Sequence, residues 1–416
     1  MTRAVLLVSI LLVATDGVSA DQTRADLPAR VTLDQALQML NDRSPRTLAE
    51  RASVDVVAAD RLTANTWPNP SVTYGGLHLV SGLSTGAVTQ HQFVVDQPLP
   101  ILGQRQSRRA LADLSVSAER ARVDASLAER QLEVRQAFAS LMARQEESRI
   151  LQESRAELER IEHVVRGRAE AGDRSEYDVL RIDTERRMLD VEVTNAATDV
   201  EDASGHLASL VGFAGWRPRA DGTLEPGPTS TDVDVLWEKA QQRRPALRAA
   251  RERQSVANGG LLVARRERRP TPTVSGGALF TREVQGTSSF FGVSLPIPLF
   301  DRNRGAIARA SAEVDEQKRT VDAEMAEARA EIERARSTFD SRRQTLSGIE
   351  RDLMQRVPLL RRMAEDAYRE GRDGILELID ASRSLKDIQL LHVKQLETTK
   401  LAEEDLRAAA GLDAAP

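Results

Sequence analysis

The sequence contains no cysteine and few aromatic residues. Without cysteine it can form no disulfides, offers no thiolate metal ligands and has no cysteine after an export signal to carry a lipid anchor. Aromatic residues make up only 3% of its 416 residues, whereas charged residues make up 29%. Thick hydrophobic cores need many large apolar side chains, so this composition favours narrow apolar stripes on long helices.

Long apolar segments are missing after the N-terminus. Ala4 to Ala14 form an apolar run that follows Arg3 and ends in the small residues of Val18-Ser19-Ala20. This pattern is typical of a secretory signal peptide, which we assign to residues 1–20. No later stretch approaches ~18 apolar residues, so membrane contact after export must come from strands or from a surface. The net charge of -5 does not indicate a nucleic-acid partner.

Residue patterns that support catalysis or metal binding are also lacking. The sequence shows neither a nucleophile and base in a known motif nor a glycine-rich phosphate loop after a strand. No two of the histidines have the short spacing of metal ligands; they are His78, His91, His163, His206 and His392. Ser175, Glu176 and Asp178 have the order of a helix cap with first-turn acids, a structural role. The sequence therefore predicts no enzyme activity, no cofactor and no metal site.

The chain consists of two similar halves, residues 21–215 and 216–416. Five landmarks recur in the same order about 200 residues apart. The first-half copies are Val31-Thr-Leu-Asp-Gln-Ala-Leu with Ser44-Pro45, Trp67-Pro68-Asn69-Pro70, Gln97-Pro98-Leu99-Pro100, Ala171-Gly172-Asp173 and Leu210-Val211-Gly212. The second-half copies are Val233-Asp-Val-Leu-Trp with Arg244-Pro245, Arg269-Pro270-Thr271-Pro272, Leu295-Pro296-Ile297-Pro298, Glu370-Gly371-Arg372 and Ala409-Ala410-Gly411. Such order predicts an internal duplication.

Each half predicts the same elements. A helix comes first, followed by two short segments in which apolar and polar residues alternate, as in Val72 and Tyr74, and these segments predict a β-hairpin. A very long helix follows, then a break at Gly172 or Gly371 and a shorter returning helix. The predicted ranges are about 70–97 and 272–297 for the hairpins, about 104–170 and 302–370 for the long helices, and about 173–212 and 374–411 for the returning helices.

Apolar residues on the long helices follow a coiled-coil spacing. Apolar residues at alternating spacings of three and four form a stripe along one side of a helix, and such stripes pack two helices together. In the first half these are Leu111, Leu114, Ala118, Ala121, Ala125, Ala128 and Leu132, and in the second half Met325, Ala328, Ile332, Ala335 and Phe339. The predicted fold class is therefore mainly α, with long antiparallel helical hairpins and four strands in each chain.

Four strands cannot close a sheet in lipid, where every backbone group needs a partner. Several copies must therefore combine. With these features, the sequence resembles the TolC-type outer-membrane efflux proteins over essentially the whole mature chain. The segments Gln97-Pro98-Leu99-Pro100-Ile101-Leu102-Gly103-Gln104-Arg105 and Leu295-Pro296-Ile297-Pro298-Leu299-Phe300-Asp301-Arg302-Asn303-Arg304-Gly305 are most similar to the branch that serves cobalt, zinc and cadmium exporters of the resistance-nodulation-division type.

The resemblance implies a homotrimer with a twelve-stranded β-barrel in the outer membrane and an α-helical barrel in the periplasm. Its implied partners are a periplasmic adaptor and an inner-membrane pump of the resistance-nodulation-division type, and its implied function is a passive exit duct for heavy-metal cations. Channels for drug efflux or type I protein secretion are the alternatives within the family. A periplasmic adaptor would have one helical hairpin within a lipoyl-like domain, and a structural coiled coil would not need the proline-bounded strands.

The resemblance also implies site residues near the helix breaks. Glu377 and Asp380 match the family's acidic periplasmic aperture, although acids three apart are also common on a solvated helix face. Tyr368 and Asp178 match a gating hydrogen bond, and Tyr368 could instead pack between helices. The family has a basic gate residue where this sequence has Asp373. The implied adaptor-contacting tips are Gly172, Asp173, Gly371 and Arg372.

Overall fold

The computed structural model describes residues 27–82, 87–171, 175–230, 232–283, 286–370 and 374–413. The predicted signal peptide lies outside the described residues. So do all four predicted adaptor-contacting residues, which are Gly172, Asp173, Gly371 and Arg372, together with Asp373.

Helices dominate the described chain. The first half contains α1 (Leu33–Arg43), α2 (Pro45–Asn65), α3 (Gln104–Glu170) and α4 (Glu176–Val211). The second half contains α5 (Val233–Arg243), α6 (Pro245–Glu267), α7 (Arg304–Asp352), α8 (Val357–Arg369) and α9 (Ile375–Ala409). At ~1.5 Å per residue, the 67 residues of α3 extend for about 100 Å. Among the described residues, no helix combines the length and hydropathy needed to cross a membrane.

Six strands form two sheets in the described chain. The two-residue strands β1 (Arg30–Val31) and β4 (Arg219–Ala220) pair in parallel. The larger sheet is antiparallel and contains β2 (Ser71–His78), β3 (Ala87–Pro98), β5 (Thr273–Glu283) and β6 (Gly286–Ser294), in the order β2-β3-β5-β6. The predicted fold class, mainly α with a small β part, is confirmed.

The Ser-Pro and Arg-Pro landmarks mark helix junctions. Ser44 ends α1 and begins α2, and Arg244 does the same between α5 and α6; both have extended backbone angles. The next residue is proline at the first helical position, where the missing N–H costs no hydrogen bond and the fixed φ suits a helix. The duplicated landmark therefore produces a duplicated bend.

The helices continue the larger sheet in the same order. Near the sheet, α2 packs against α3, α3 against α6, and α6 against α7. Farther away, α4 packs against α3, α3 against α9, and α9 against α7 and α8. The chain is thus a layer four elements wide along its whole length. One lateral edge consists of β2, α2 and α4, and the other of β6, α7 and α8.

The apolar residues form separate clusters along this layer. One lies at mid-length between α1, α3, α4 and α9, a second joins α3, α4, α8 and α9, and a third joins α5, α7 and α9. The predicted stripe on α7 is largely buried, since Ala328, Ile332, Ala335 and Phe339 are inside. In the α3 stripe only Ala121 is fully buried. Because α3 has neighbours on both sides, its contacts spread around the helix.

The run predicted as one helix over residues 302–370 contains a break. Helix α7 ends at Asp352 and α8 begins at Val357, so the prediction of a continuous helix is wrong here. Pro358 lacks the N–H that would bond one turn back, and it disfavours helical geometry at the preceding residue. At the end of α7 the Met354 N–H donates to the Ile349 carbonyl, five residues back, which widens the turn.

Candidate functional site

One face of the four-stranded sheet is apolar and exposed. Directly paired residues on neighbouring strands lie on the same face of the sheet, so the register shows which face each side chain occupies. This apolar face carries Val72 and Tyr74 on β2, Phe93 and Val95 on β3, Val274, Ala278 and Phe280 on β5, and Phe291 and Val293 on β6. Phe291 is 75% exposed and Val72 is 70% exposed. Such a large exposed apolar surface indicates contact with lipid or protein.

The opposite face is mainly polar. It carries Ser71, Thr73, Gln90, Gln92, Asp96, Thr273, Ser275, Ser288 and Ser294, together with Leu77, Val94, Leu279 and Phe290. The Ser275 hydroxyl donates to the Asp96 carboxylate across the strand pair β3–β5. An apolar face opposite a polar face is the pattern of a sheet between lipid and water.

The two histidines of the first hairpin belong to the apolar face. His91 pairs with Gly76 beside Tyr74, and the Tyr74 hydroxyl lies 2.7 Å from Nδ1 of His91. His78 Nδ1 lies 3.1 Å from the Thr89 hydroxyl on the same face. Within the described residues, no group of three or more His, Cys, Asp or Glu side chains has the geometry to hold a metal ion.

Both lateral edges of the protomer are open. Strands β2 and β6 each pair on one side only among the described residues. Exposed apolar side chains continue the first edge at Val56 and Leu62 on α2 and at Leu180 and Val191 on α4. On the second edge, α8 exposes Leu359, Leu360 and Met363. Unpaired strands and apolar stripes on two different edges suit a head-to-tail ring, in which the first edge contacts the second edge of the next copy.

The helix ends far from the sheet form the tip region, residues 150–171, 175–195 and 357–390 apart from 371–373. Here ion pairs connect the two halves of the chain. Arg383 on α9 donates to Glu185 on α4 through two nitrogen atoms. Nζ of Lys386 on α9 lies 2.8 Å from the Glu192 carboxylate on α4, and Arg361 on α8 lies 2.5 Å from Glu157 on α3.

The pair formed by Arg383 and Glu185 contains the most buried carboxylate of these connections. Glu185 is 9% exposed, and the pair lines a cleft of about 390 Å³ between the two helical hairpins. The hydrogen bonds with Glu185 raise the pKa of the Arg383 guanidinium. Arg383 therefore stays charged, and separating the hairpins here would leave a sheltered carboxylate without its partner. This pair was not predicted from the sequence, although its residues occupy nearly equivalent positions in the two halves.

The predicted aperture residues lie together on the exposed face of α9. Glu377 and Asp380 are exposed, whereas Ile375, Leu378 and Ile379 face the apolar cluster of the tip region. Glu377 also lies near the N-terminus of α9. Its Oε2 atom is close to Gly374, where an added Cβ atom would be only 3.0 Å from it. A carboxylate in this position stabilises the helix dipole. Asp387, which was not predicted from the sequence as an aperture residue, is exposed two turns beyond Asp380.

The two predicted gate residues lie at neighbouring helix ends. The Tyr368 ring is buried in the apolar cluster of the tip region, and the Arg168 guanidinium lies 5.3 Å from its centroid. Asp178 is half-buried in the first turn of α4, and its backbone N–H donates to the capping Ser175 hydroxyl at 3.4 Å. The packing role considered for Tyr368 is present. The gating role stays a prediction.

Comparison with known proteins finds a matching family model, similar proteins and a similar fold. Residues 236–412 match the family described as outer membrane efflux protein. The cobalt-zinc-cadmium resistance protein CzcC of Cupriavidus metallidurans is 22% identical over 370 residues, which cover 89% of this chain and 87% of that protein. The nickel-cobalt-cadmium resistance protein NccC of Alcaligenes xylosoxydans xylosoxydans is 25% identical over 335 residues, covering 77% and 71%.

A solved structure has the same arrangement of elements. The channel protein CusC, whose structures address folding and transmembrane channel formation, aligns with a TM-score of 0.73 at 16% identity, covering 91% of this chain and 92% of CusC. At this identity the similarity establishes a common fold.

Proposed function

We propose that this protein is the outer-membrane channel subunit of a tripartite efflux system, and the match of residues 236–412 to the outer membrane efflux protein family supports this. It acts as a passive duct, and a periplasmic adaptor and an inner-membrane pump deliver its cargo. The observation that carries this proposal is the open four-stranded sheet with one exposed apolar face, which four helices continue in the same lateral order.

The sheet supports a position within a membrane. Strands β3 and β5 contain 12 and 11 residues, and a tilted strand needs ~9–11 residues to cross the hydrocarbon core. The apolar face would contact lipid, and the polar face would line the lumen. Two open edges then require further copies, because unpaired backbone groups are costly in lipid. Three copies supply twelve strands, which is the trimer that we propose.

The cargo proposal rests on the two relatives. Both are named as resistance proteins for divalent metal ions that include cobalt and cadmium. We therefore propose heavy-metal cations as cargo. The described chain contains no clustered metal ligands, which suits a duct that releases its cargo quickly.

Deletion of the gene tests this function. The deletion strain is expected to become at least about tenfold more sensitive to cobalt, zinc, cadmium or nickel, and the native gene should restore resistance. Growth is measured over a concentration series of each metal and of several structurally unrelated drugs. If the deletion strain becomes sensitive to drugs alone, the cargo is drugs and the metal proposal is wrong. Unchanged growth under every condition would contradict the efflux function.

The acids of α9 are expected to give the tip region cation selectivity. Three copies of Glu377 and Asp380 would form two acidic rings, which attract cations and repel anions. The double variant Glu377→Gln, Asp380→Asn is therefore expected to lower the cation-to-anion permeability ratio at least about threefold in planar bilayers. The effect should shrink at high salt, because screening weakens the field of exposed charges.

A matched variant distinguishes the effect of the proposed acidic rings from the effect of the protein's total charge. Asp234 and Glu238 are exposed on α5, far from the tip region, and Asp234→Asn with Glu238→Gln removes the same charge. This control should keep the native permeability ratio. Equal ratios for both double variants and the native chain would remove Glu377 and Asp380 from the aperture.

A further inference from the structure

Nine arginines lie where the helices join the large sheet. They are Arg105, Arg108, Arg109, Arg265, Arg266, Arg268, Arg269, Arg302 and Arg304, which we call the arginine collar. The same three segments, residues 99–110, 265–272 and 295–305, contain only two acids, Glu267 and Asp301. No collar arginine forms an ion pair with a carboxylate of the described residues. Arg105 and Arg266 are half-buried, and the other seven are exposed.

The fold brings these three segments together. The Gln104 amide donates to the Arg269 carbonyl at 3.1 Å, and the Arg269 guanidinium donates to the Leu102 carbonyl at 3.0 Å. The Asn303 side-chain amide donates to the Ala264 carbonyl at 2.8 Å and links the start of α7 to the end of α6. The arginines therefore form one positively charged band across α3, α6 and α7.

Exposed apolar side chains lie between this band and the sheet. The loop after β3 exposes Ile101 and Leu102, and the loop after β6 exposes Ile297, Leu299 and Phe300. Phe300 is 98% exposed. Apolar side chains next to exposed cations are typical of protein surfaces that lie at the boundary between lipid chains and headgroups.

We propose that the arginine collar binds the headgroups of anionic phospholipids in the membrane leaflet nearest the helices. The inference rests on the proposed membrane position of the sheet. Strand ends Ser71, Pro98, Thr273 and Ser294 lie at the same end of the sheet, so the hydrocarbon boundary falls there. The first two turns of α3 and α7 and the last turn of α6 then lie at headgroup depth.

Phosphate chemistry favours arginine at this depth. The planar guanidinium donates two parallel hydrogen bonds to phosphate oxygens, and each basic residue near an anionic membrane surface strengthens binding. A zwitterionic headgroup contributes no net charge, so the collar should select phosphatidylglycerol over phosphatidylcholine. The expected preference of the native trimer is at least about tenfold in relative association constant.

Trp67 provides a reporter inside the collar. The Arg105 guanidinium lies 5.0 Å from the Trp67 ring, and the ring is 47% exposed. The full chain with Trp216→Phe and Trp237→Phe keeps this one tryptophan. We would reconstitute it in phosphatidylcholine bilayers containing increasing fractions of brominated phosphatidylglycerol or brominated phosphatidylcholine, and measure quenching of Trp67 fluorescence by each lipid.

A four-residue variant tests the arginines. Arg108, Arg109, Arg265 and Arg268 are exposed, and changing all four to Gln leaves Arg105 against Trp67. This variant should lose most of the preference for phosphatidylglycerol, to about twofold or less. The matched control changes Arg120, Arg253, Arg319 and Arg342 to Gln. These arginines are exposed on the same helices, at least about 16 Å along the helix axis from the collar, and their loss should leave the preference unchanged.

The outcomes separate the collar from the membrane position. Stronger quenching by brominated phosphatidylglycerol that disappears in the collar variant supports the inference. Equal quenching by both lipids would overturn lipid binding by the collar and leave the membrane position of the sheet standing. A preference for phosphatidylglycerol that the collar variant retains would have the same consequence. Absence of quenching by either lipid overturns both the collar and the proposed membrane position.

Discussion

The substitution Phe93→Arg is expected to remove the protein from the outer membrane, whereas Gln92→Arg in the neighbouring position is expected to be tolerated. Phe93 lies on the apolar face of the central strand β3, between Tyr74 and Phe280, and Gln92 lies on the polar face. An arginine that faces lipid near the bilayer centre costs about 2–4 kcal/mol, and the ring would contain three of them. An arginine in a water-filled lumen carries no comparable cost.

The measurement is the amount of oligomer in isolated outer membranes, compared with total protein in whole cells. Phe93→Arg should reduce the membrane oligomer at least about tenfold, and Gln92→Arg should leave it within about twofold of native. Phe93→Leu serves as a second control, because it removes the ring contacts without adding charge. Equal membrane levels of the two arginine variants would contradict the assignment of the two sheet faces.

The substitution Arg383→Gln is expected to loosen the tip region and raise the resting conductance of the channel. It leaves Glu185, which is 9% exposed, without the guanidinium that holds it between the hairpins. An unpaired sheltered carboxylate costs about 1–3 kcal/mol, and Arg383 itself is partly exposed, so the lower half of that range applies. A shift of ~1.4 kcal/mol changes a closed-to-open equilibrium tenfold.

Single-channel recording in planar bilayers measures this change as open probability at rest. The double variant Glu185→Gln, Arg383→Gln should recover much of the closed state, because two neutral amides can bond to each other. Arg187→Gln is the matched control, since Arg187 is exposed and pairs with Asp183 on its own helix. If Arg383→Gln behaves like Arg187→Gln, the ion pair does not hold the tip region closed.

Features with a clear period could be predicted from the sequence. The alternation around Val72 and Tyr74 predicted strands with unlike faces, and the register places both residues on the apolar face. The spacing of Ala328, Ile332 and Ala335 predicted a buried stripe, and all three are buried. These patterns depend on local geometry, which repeats every two residues in a strand and every 3.6 in a helix.

Features set by tertiary contacts were missed. The parallel pair β1–β4 has only two residues in each strand, too few to show a period. The ion pair of Glu185 with Arg383 joins residues that are 198 positions apart and becomes visible only when the hairpins pack together. The helix break near Pro358 did carry a local signal, since a proline inside a helical pattern disfavours a continuous helix.

Cysteine cross-linking between neighbouring copies tests the ring most directly. The native chain has no cysteine, so Thr73→Cys on β2 and Ser288→Cys on β6 introduce the sole thiols, both on the polar face at the two open edges. Treatment of outer membranes with a short flexible bis-maleimide should give a ladder of covalent dimers and trimers that ends at three chains. Cross-linking confined to single chains, or a protein recovered as a soluble monomer, would contradict a channel built from several open protomers.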